Sequence, residues 1–295
     1  MHDVTTRRVG AVDRNGIRIG YEVAGAGAHT VLLLPAWMIT NRRMWTAQVA
    51  GLASAARLIA YDARGSGESD RPTDPAAYDV KELVADTIAV LDATRTERAV
   101  MVGNSLGGLI AFLVAAQRPD RVAGLVLIGA SVDLAGAVAS PLQVALTRFE
   151  EELPDTEGWA RYNRHAWRCD YPGFVRWFVD TALGAEAAED ARAEGLEQGL
   201  DTTAEVLAAT VAWRHRRGSA DRAAMLRGLS ERITCPVLIV HGDRDQINPP
   251  AWSDVLAVAL RATYVTLPGA GHCPQITRAA EVTDLISAFL RELDR

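Results

Sequence analysis

Gly103-Asn104-Ser105-Leu106-Gly107 sets a serine between two glycines, at the end of one apolar run and the start of a longer one. Residues 99–102 read as a buried strand and 106–117 as a helix, so the chain must turn sharply at Ser105. Glycines on both sides remove the side chains that so tight a turn would crush. The serine is pushed out at the carboxyl end of the strand, beside the positive end of a helix. This is the pattern of a nucleophile elbow, and a hydroxyl presented in this way is suited to attack on a carbonyl carbon.

Such a serine needs a base, and the base needs an orienting carboxylate. His272, in Gly269-Ala270-Gly271-His272, follows the last apolar strand run, and loops at strand carboxyl ends are where a parallel sheet builds its sites. The other histidines are placed less well. His2 and His29 come early, His165 and His215 fall in a helical stretch, and His241 ends a strand ahead of the acid-bearing loop. That loop, His241-Gly242-Asp243-Arg244-Asp245-Gln246-Ile247-Asn248-Pro249, offers two aspartates. Asp245 sits mid-loop, where its carboxylate can turn back toward His272, and is preferred. Asp243 is nearer the strand end and suits holding the turn. Asp133, after the sixth strand, is a third candidate.

The elements that must position these groups alternate along the chain. Residues 9–12 and 17–23 flank Arg14-Asn15-Gly16, a hairpin signal. The apolar run 30–34 reads as a strand covered on both faces, 58–61 and 99–102 as further buried strands, and 122–129, 236–240 and 264–267 as strands. Helical periodicity occupies 45–52, 78–91 (with Asp79 as its cap), 106–117, 250–260 and 279–293. The expected class is α/β, a mostly parallel sheet flanked by helices. From 133 to 232 the alternation stops. This stretch is helical in period and contains Trp159, Trp167, Trp177 and Trp213, with breaks at Pro172-Gly173 and Arg217-Gly218-Ser219. The expected organisation is a core of 1–132 and 233–295 with a helical cap, 133–232, inserted over the carboxyl edge of the sheet.

Four segments together, Asp62-x-Arg64-Gly65-x-Gly67-x-Ser69, Gly103-Asn104-Ser105-Leu106-Gly107-Gly108, Gly242-x-x-Asp245-x-x-x-Pro249 and Gly271-His272, make the chain resemble the α/β-hydrolase fold superfamily over essentially its full length. Residues 58–72 resemble those of enol-lactonases and small esterases of this superfamily. The resemblance implies the chain order nucleophile, acid, histidine, and so supports Ser105, Asp245 and His272 as the catalytic set. It implies that the 62–69 loop is a structural turn. It also implies an oxyanion hole built from backbone N–H groups, here those of Trp37 and Leu106. The family usually carries His-Gly after its third strand, whereas this chain has Pro35-Ala36-Trp37. Proline has no N–H to offer, and without glycine the loop does not reach positive φ cheaply. Trp37 is then expected to wall the substrate pocket with Met38, Met44 or Trp45 beside it, or else to pack beneath the cap. Trp159, Trp167 and Trp177 are the candidate pocket residues of the cap.

Composition narrows the partners. The 295 residues are 49% hydrophobic and carry 31 basic against 37 acidic residues, a net charge of −6, with no basic block to suit nucleic acid. Three cysteines, Cys169, Cys235 and Cys273, show no metal-like or paired spacing, which points to a reducing, cytoplasmic setting. Residues 1–17 have no apolar core, so no signal peptide is expected. The uncharged run 99–116 is long enough to imitate a membrane span, but Gly103, Asn104, Ser105, Gly107 and Gly108 break it. No membrane partner, metal or organic cofactor is expected, only a small-molecule substrate. The expected activity is hydrolysis of a carboxylic ester or lactone of a small, largely apolar molecule through an acyl-enzyme. The alternatives are a carbon–carbon bond hydrolase of the meta-cleavage product type, which the Gly103–Gly108 segment also resembles, a biosynthetic acyltransferase or cyclase on the same triad, and a ligand-binding receptor on a hydrolase scaffold. Ser105 at the elbow argues against dehalogenases and epoxide hydrolases, which need aspartate there.

Overall fold

The computed structural model describes residues 7–211 and 219–294. His2, Trp213, His215 and the Arg217-Gly218 break lie outside the described residues. The strands are β1 (Arg8–Arg14), β2 (Ile17–Ala24), β3 (His29–Leu34), β4 (Ala56–Tyr61), β5 (Ala99–Asn104), β6 (Val122–Ile128), β7 (Val237–Gly242) and β8 (Thr263–Leu267). They form one sheet in the order β1-β2-β4-β3-β5-β6-β7-β8. β1 and β2 pair antiparallel, as do β2 and β4; every later pairing is parallel. The opening hairpin turns on Asn15 and Gly16, both at positive φ (56° and 81°), the two-residue turn whose twist matches that of the strands.

Helices α1 (Thr46–Leu52), α2 (Val80–Ala93) and α3 (Leu106–Gln117) fall between the strands of the first half. Six more, α4 (Pro141–Thr147), α5 (Arg164–Cys169), α6 (Tyr171–Leu183), α7 (Glu189–Leu200), α8 (Ala204–Ala209) and α9 (Ser219–Ser230), lie between β6 and β7. Among the described residues that stretch contains no strand. The chain closes with α10 (Pro250–Leu260), α11 (Pro274–Thr277) and α12 (Ala279–Glu292). The uncharged run at 99–116 is β5 followed by α3, and among the described residues no helix is long and apolar enough to cross a membrane.

Alternation along each strand sends side chains to opposite faces. Val31, Leu33, Val100 and Val102 share one cluster with Leu52 of α1 and Ile286 of α12; Leu32, Leu34 and Met101 share the other with Leu83 of α2 and Leu113 of α3. With both faces covered, these strands read as continuous apolar runs. Two expected helices start later than periodicity suggests, because side chains cap them. Asp79 accepts the Lys81 N–H (3.2 Å), so α2 begins at Val80; Asn41 accepts the Arg43 N–H (3.0 Å) and starts a 3-10 turn, Arg42–Trp45, ahead of α1.

The 62–69 loop is built as a brace. Buried Asp62 accepts the N–H groups of Arg42 (2.7 Å) and Glu68 (2.9 Å), and its carbonyl accepts the Ser69 hydroxyl (2.7 Å). Arg64 pairs two-pronged with buried Asp86 of α2 at 2.7 and 2.6 Å. None of these residues reaches the cavity described below.

β3 lies between β4 and β5, so the chain leaves it in opposite directions on its two sides. Such a switch point opens a crevice at the carboxyl ends of the strands. Pro35-Ala36-Trp37 follows β3 there, and Ser105 follows β5.

Candidate active site

Ser105 sits at φ 56°, ψ −117°, outside the comfortable regions for a side-chain-bearing residue. The backbone holds it in place: its N–H donates to Ile128 O (3.0 Å), and its carbonyl accepts from Leu109 N (3.1 Å) and Ser131 N (3.0 Å). The flanking glycines are required by close approach. A Cβ on Gly107 would lie 2.4 Å from Pro35 O, and one on Gly103 would lie 2.4 Å from Gly107 O. Leu106 opens α3, and first-turn N–H groups have no acceptor within their own helix.

The loops after β7 and β8 bring the acid and the histidine together. His272 Nδ1 lies 2.7 Å from Asp245 Oδ2. The other oxygen of Asp245 accepts the N–H groups of Ile247 (2.7 Å) and Asn248 (3.0 Å). With Nδ1 donating to the carboxylate, Nε2 is left as the acceptor nitrogen of His272. Burial alone would push the Asp245 carboxyl up. The His272 charge and hydrogen bonds from His241 and His272 outweigh burial and hold it well below the usual carboxylate range. Gly129, at φ 47°, permits this meeting, since a Cβ there would lie 3.2 Å from Asp245 Oδ2 and 3.3 Å from His272 Nδ1.

Ser105 and His272 both line one cavity of about 480 Å³. No hydrogen bond joins the Ser105 hydroxyl to His272 among the described residues; its neighbour is Ser131 Oγ at 3.4 Å. Catalytic hydrogen bonds are often long before substrate binds. Phe178, Val179, Ala182 and Leu183 of α6 form an apolar wall, with Leu142 and Ile247 also lining the space. Arg43 is the lining guanidinium, and it is paired with Glu194 (3.4 Å) and Glu197 (2.8 Å). Glu186, Asp190 and Glu194 supply carboxylates to the same lining.

The other candidate residues divide by position. Asp243 accepts the Gly269 N–H (2.7 Å) and so ties the β7 and β8 loops together, while Asp133 accepts the N–H groups of Ala135 and Gly136. Neither touches His272. Trp37 both lines the cavity and packs: its ring lies 5.3 Å from Phe178 and 5.4 Å from Tyr162, and its Nε1 donates to Thr210 Oγ1 (2.7 Å).

Met38, Trp45, Trp159, Trp167 and Trp177, expected at the pocket, lie outside its lining. Met38 and Trp45 are fully buried, and Trp45 Nε1 donates to Leu34 O (3.1 Å); Met44 takes the lining place. Trp167 is buried against Phe174 at 4.5 Å, with its Nε1 on Arg161 O. Trp159 and Trp177 pack edge to face at 5.2 Å. Successive helix residues differ by about 100° in direction, so Phe178 faces the cavity and Trp177 does not.

Three further residues hold the site, and the sequence alone does not single them out for this. Fully buried His241 points Nε2 at two acceptors, Asp245 Oδ2 (3.0 Å) and Asn248 O (3.1 Å), so Nε2 carries hydrogen and Nδ1 takes that of Ser253 Oγ (2.6 Å). Asn104 Nδ2 donates to Ile128 O (3.1 Å) and His272 O (2.9 Å). Asn248 Nδ2 donates to Gly129 O (2.8 Å) and Ser131 Oγ (3.0 Å). Asn104 and Asn248 do stand inside the elbow and acid-loop segments, which was the available signal.

Residues 29–279 match the alpha/beta hydrolase fold family. The chain belongs to that family. It is an enzyme, a hydrolase of this fold. It is 31% identical to the 2-hydroxymuconate semialdehyde hydrolase of Pseudomonas sp. (strain CF600), over 95% of this chain and 97% of that one. It is 30% identical to RutD of Variovorax paradoxus (strain S110), a candidate carbamate hydrolase, over 92% and 95% of the two chains. Among solved structures it is similar to the enol-lactonase from Burkholderia xenovorans LB400, with a TM-score of 0.75, 26% identity, and coverage of 96% of this chain and all of that one.

Proposed function

We propose that this hydrolase opens carboxylic esters or lactones of small, largely apolar molecules through an acyl-enzyme on Ser105. The observation that carries the reading is the convergence of Ser105 and of His272, with its Nδ1 2.7 Å from Asp245, on one largely apolar cavity. In this reading His272 Nε2 takes the Ser105 proton as Oγ bonds the carbonyl carbon. The proton then goes to the leaving oxygen. Water attacks the acyl-enzyme in the second half, with His272 again as base. The N–H groups of Trp37 and Leu106 hold the oxyanion, the contribution usually largest in such sites. The helical segment 133–232 acts as the cap, with α6 shaping the acyl pocket. Cys273 lines the cavity too, but burial and the nearby Asp245 charge push its thiol up to about 12, which leaves no thiolate to compete.

The relative that cleaves 2-hydroxymuconate semialdehyde favours a second reading, carbon–carbon bond hydrolysis. A ring-cleavage dienoate carries a carboxylate, which seeks a cation. Here Arg43 is already paired, and three carboxylates share the lining, so the ester and lactone reading is the better supported. A panel of p-nitrophenyl esters, aliphatic and aromatic lactones and a ring-cleavage dienoate tests it. Turnover of esters or lactones, with a fluorophosphonate adduct on the peptide holding Ser105, is expected. Turnover of the dienoate alone would replace the reading by its rival. Acyl transfer to an added alcohol in place of water would mark a transferase, and labelling without turnover a receptor.

The pocket wall gives a separate expectation. Phe178→Ala and Leu183→Ala should shift preference toward bulkier acyl groups by about 10-fold or more, since a methylene in such a pocket is worth roughly 1–3 kcal/mol. Ratios of kcat/KM across an acyl-length series read this directly, and the rate of phosphonate labelling should hold. Wild-type selectivity in both variants would move specificity to Trp37 and the strand-end loops.

A further inference from the structure

We propose that Ser131 is a second catalytic hydroxyl, whose O–H donates to Ser105 Oγ and stabilises that oxygen as its proton leaves. The inference rests on the reading of Ser105 as nucleophile. The direction of the hydrogen bond follows from a chain of forced choices. Asn248 Nδ2 lies 2.8 Å from Gly129 O, which can only accept, so the orientation of the amide is fixed. Its second hydrogen then points to Ser131 Oγ at 3.0 Å. With Asn248 donating to it, the Ser131 oxygen has its own hydrogen left to give, and Ser105 Oγ at 3.4 Å is its neighbour. The Ser105 hydrogen in turn stays available to His272 Nε2.

The two serines are also held together by backbone, since Ser131 N–H donates to Ser105 O (3.0 Å). Asn248 is fixed at both ends, its N–H on Asp245 Oδ1 (3.0 Å) and its carbonyl beneath His241 Nε2 (3.1 Å). One residue therefore ties the acid to the nucleophile's neighbour, and Asn248 is the positioning residue of the pair. At 3.4 Å the Ser131 contact is longer than an ordinary O–H···O bond, so it stabilises the resting hydroxyl little. It can tighten as negative charge builds on Ser105 Oγ, and interactions that strengthen toward the transition state are those that raise rate. Ser131 keeps its proton throughout. In the second half the same hydrogen bond assists departure of the Ser105 oxygen from the acyl group.

The test is the second-order rate of inactivation by a fluorophosphonate, beside kcat and KM on a p-nitrophenyl ester. Ser131→Ala should slow both inactivation and kcat by about 100-fold, the lower end of what deleting a preorganised donor costs, with KM little changed. Ser131→Thr, which keeps the hydroxyl, should recover most of the loss. Asn248→Ala should reproduce the defect in part and add little to Ser131→Ala, because both act through one hydrogen bond. Thermal melting reports whether each variant folds, and Ser131→Cys, close in shape but a weak donor, gives a second reading of the same position. An inactivation rate for Ser131→Ala equal to wild type overturns the proposal. A faster one does so as well, since it would mean that Ser131 draws the Ser105 hydrogen away from His272. If the wild-type protein is not labelled at Ser105 at all, the failure belongs to the nucleophile assignment and not to Ser131.

Discussion

Ser105→Ala should lower turnover of the best ester or lactone by about 10⁶-fold while the substrate still binds, the scale set by removing the nucleophile from a triad. The expectation rests on the lack of a substitute. Cys273 lines the same cavity, but its thiol is pushed up to about 12 by burial and by the Asp245 charge. Ser131 Oγ is 3.4 Å away, yet it belongs to the loop after β6, with no helix beginning at the next residue and no turn that thrusts it forward. Ser105 alone combines positive φ, the start of α3 and a place in the cavity lining. The proposed oxyanion hole and the pocket would survive the substitution, so a residual rate above that in water should remain and KM should change little. Active-site titration and mass spectrometry after phosphonate treatment check the same point without substrate, because the adduct should disappear with the hydroxyl. A Ser105→Ala protein that turns over near the wild-type rate would remove the mechanism entirely.

How much of this was legible in the sequence depended on how local each constraint is. The Gly103–Gly107 turn is fixed by clashes within a few residues and with the β3 end, so residue types reveal it. Helix α10 spans Pro250–Leu260, as its periodicity and opening proline suggest. Strands β3 and β5 to β7 are apolar along their lengths because helices cover both faces, and that burial is written directly into composition. The pocket was not legible in the same way. Trp177 and Phe178 are neighbouring aromatics, and only the rotation of α6 decides that the phenyl ring faces the cavity. The short helices α4, α5 and α8, six or seven residues each, are too brief for periodicity to place. His241 precedes the acid in the chain, and chain order gives no reason to place it beside Asp245. Yet a strand end and the loop leaving it fold back on each other, and that brings Nε2 to 3.0 Å from Asp245. Ser131 and Asn248 meet only because β6 and β7 are sheet neighbours, a pairing across 117 residues of sequence.

The second large effect falls on the acid. Asp245→Asn should lower kcat by about 10⁴-fold, with the fold intact, as loss of the orienting carboxylate does in related triads. An amide cannot satisfy what surrounds this position. His272 Nδ1, His241 Nε2 and the N–H groups of Ile247 and Asn248 all point hydrogens at the carboxylate. The NH₂ end of asparagine must face one of these donors. If it faces His272, the imidazole shifts its hydrogen to Nε2 and can no longer accept from Ser105. The same crowding predicts the pH behaviour. In the wild-type protein Asp245 is held well below the usual carboxylate range despite burial, so it stays ionised well into acid. The depressed carboxyl contributes stability that is present above its unfolded value, about 3.9, and is lost as pH falls through the folded one. Asp245→Asn should flatten that acid-side loss in thermal melts. Asp243→Asn is the contrast. Its carbonyl oxygen can still accept the Gly269 N–H, so the change should cost no more than about 1 kcal/mol in stability and leave kcat near wild type. If Asp243→Asn abolished turnover while Asp245→Asn spared it, the acid would be misassigned, and the 2.7 Å contact to His272 would need another purpose.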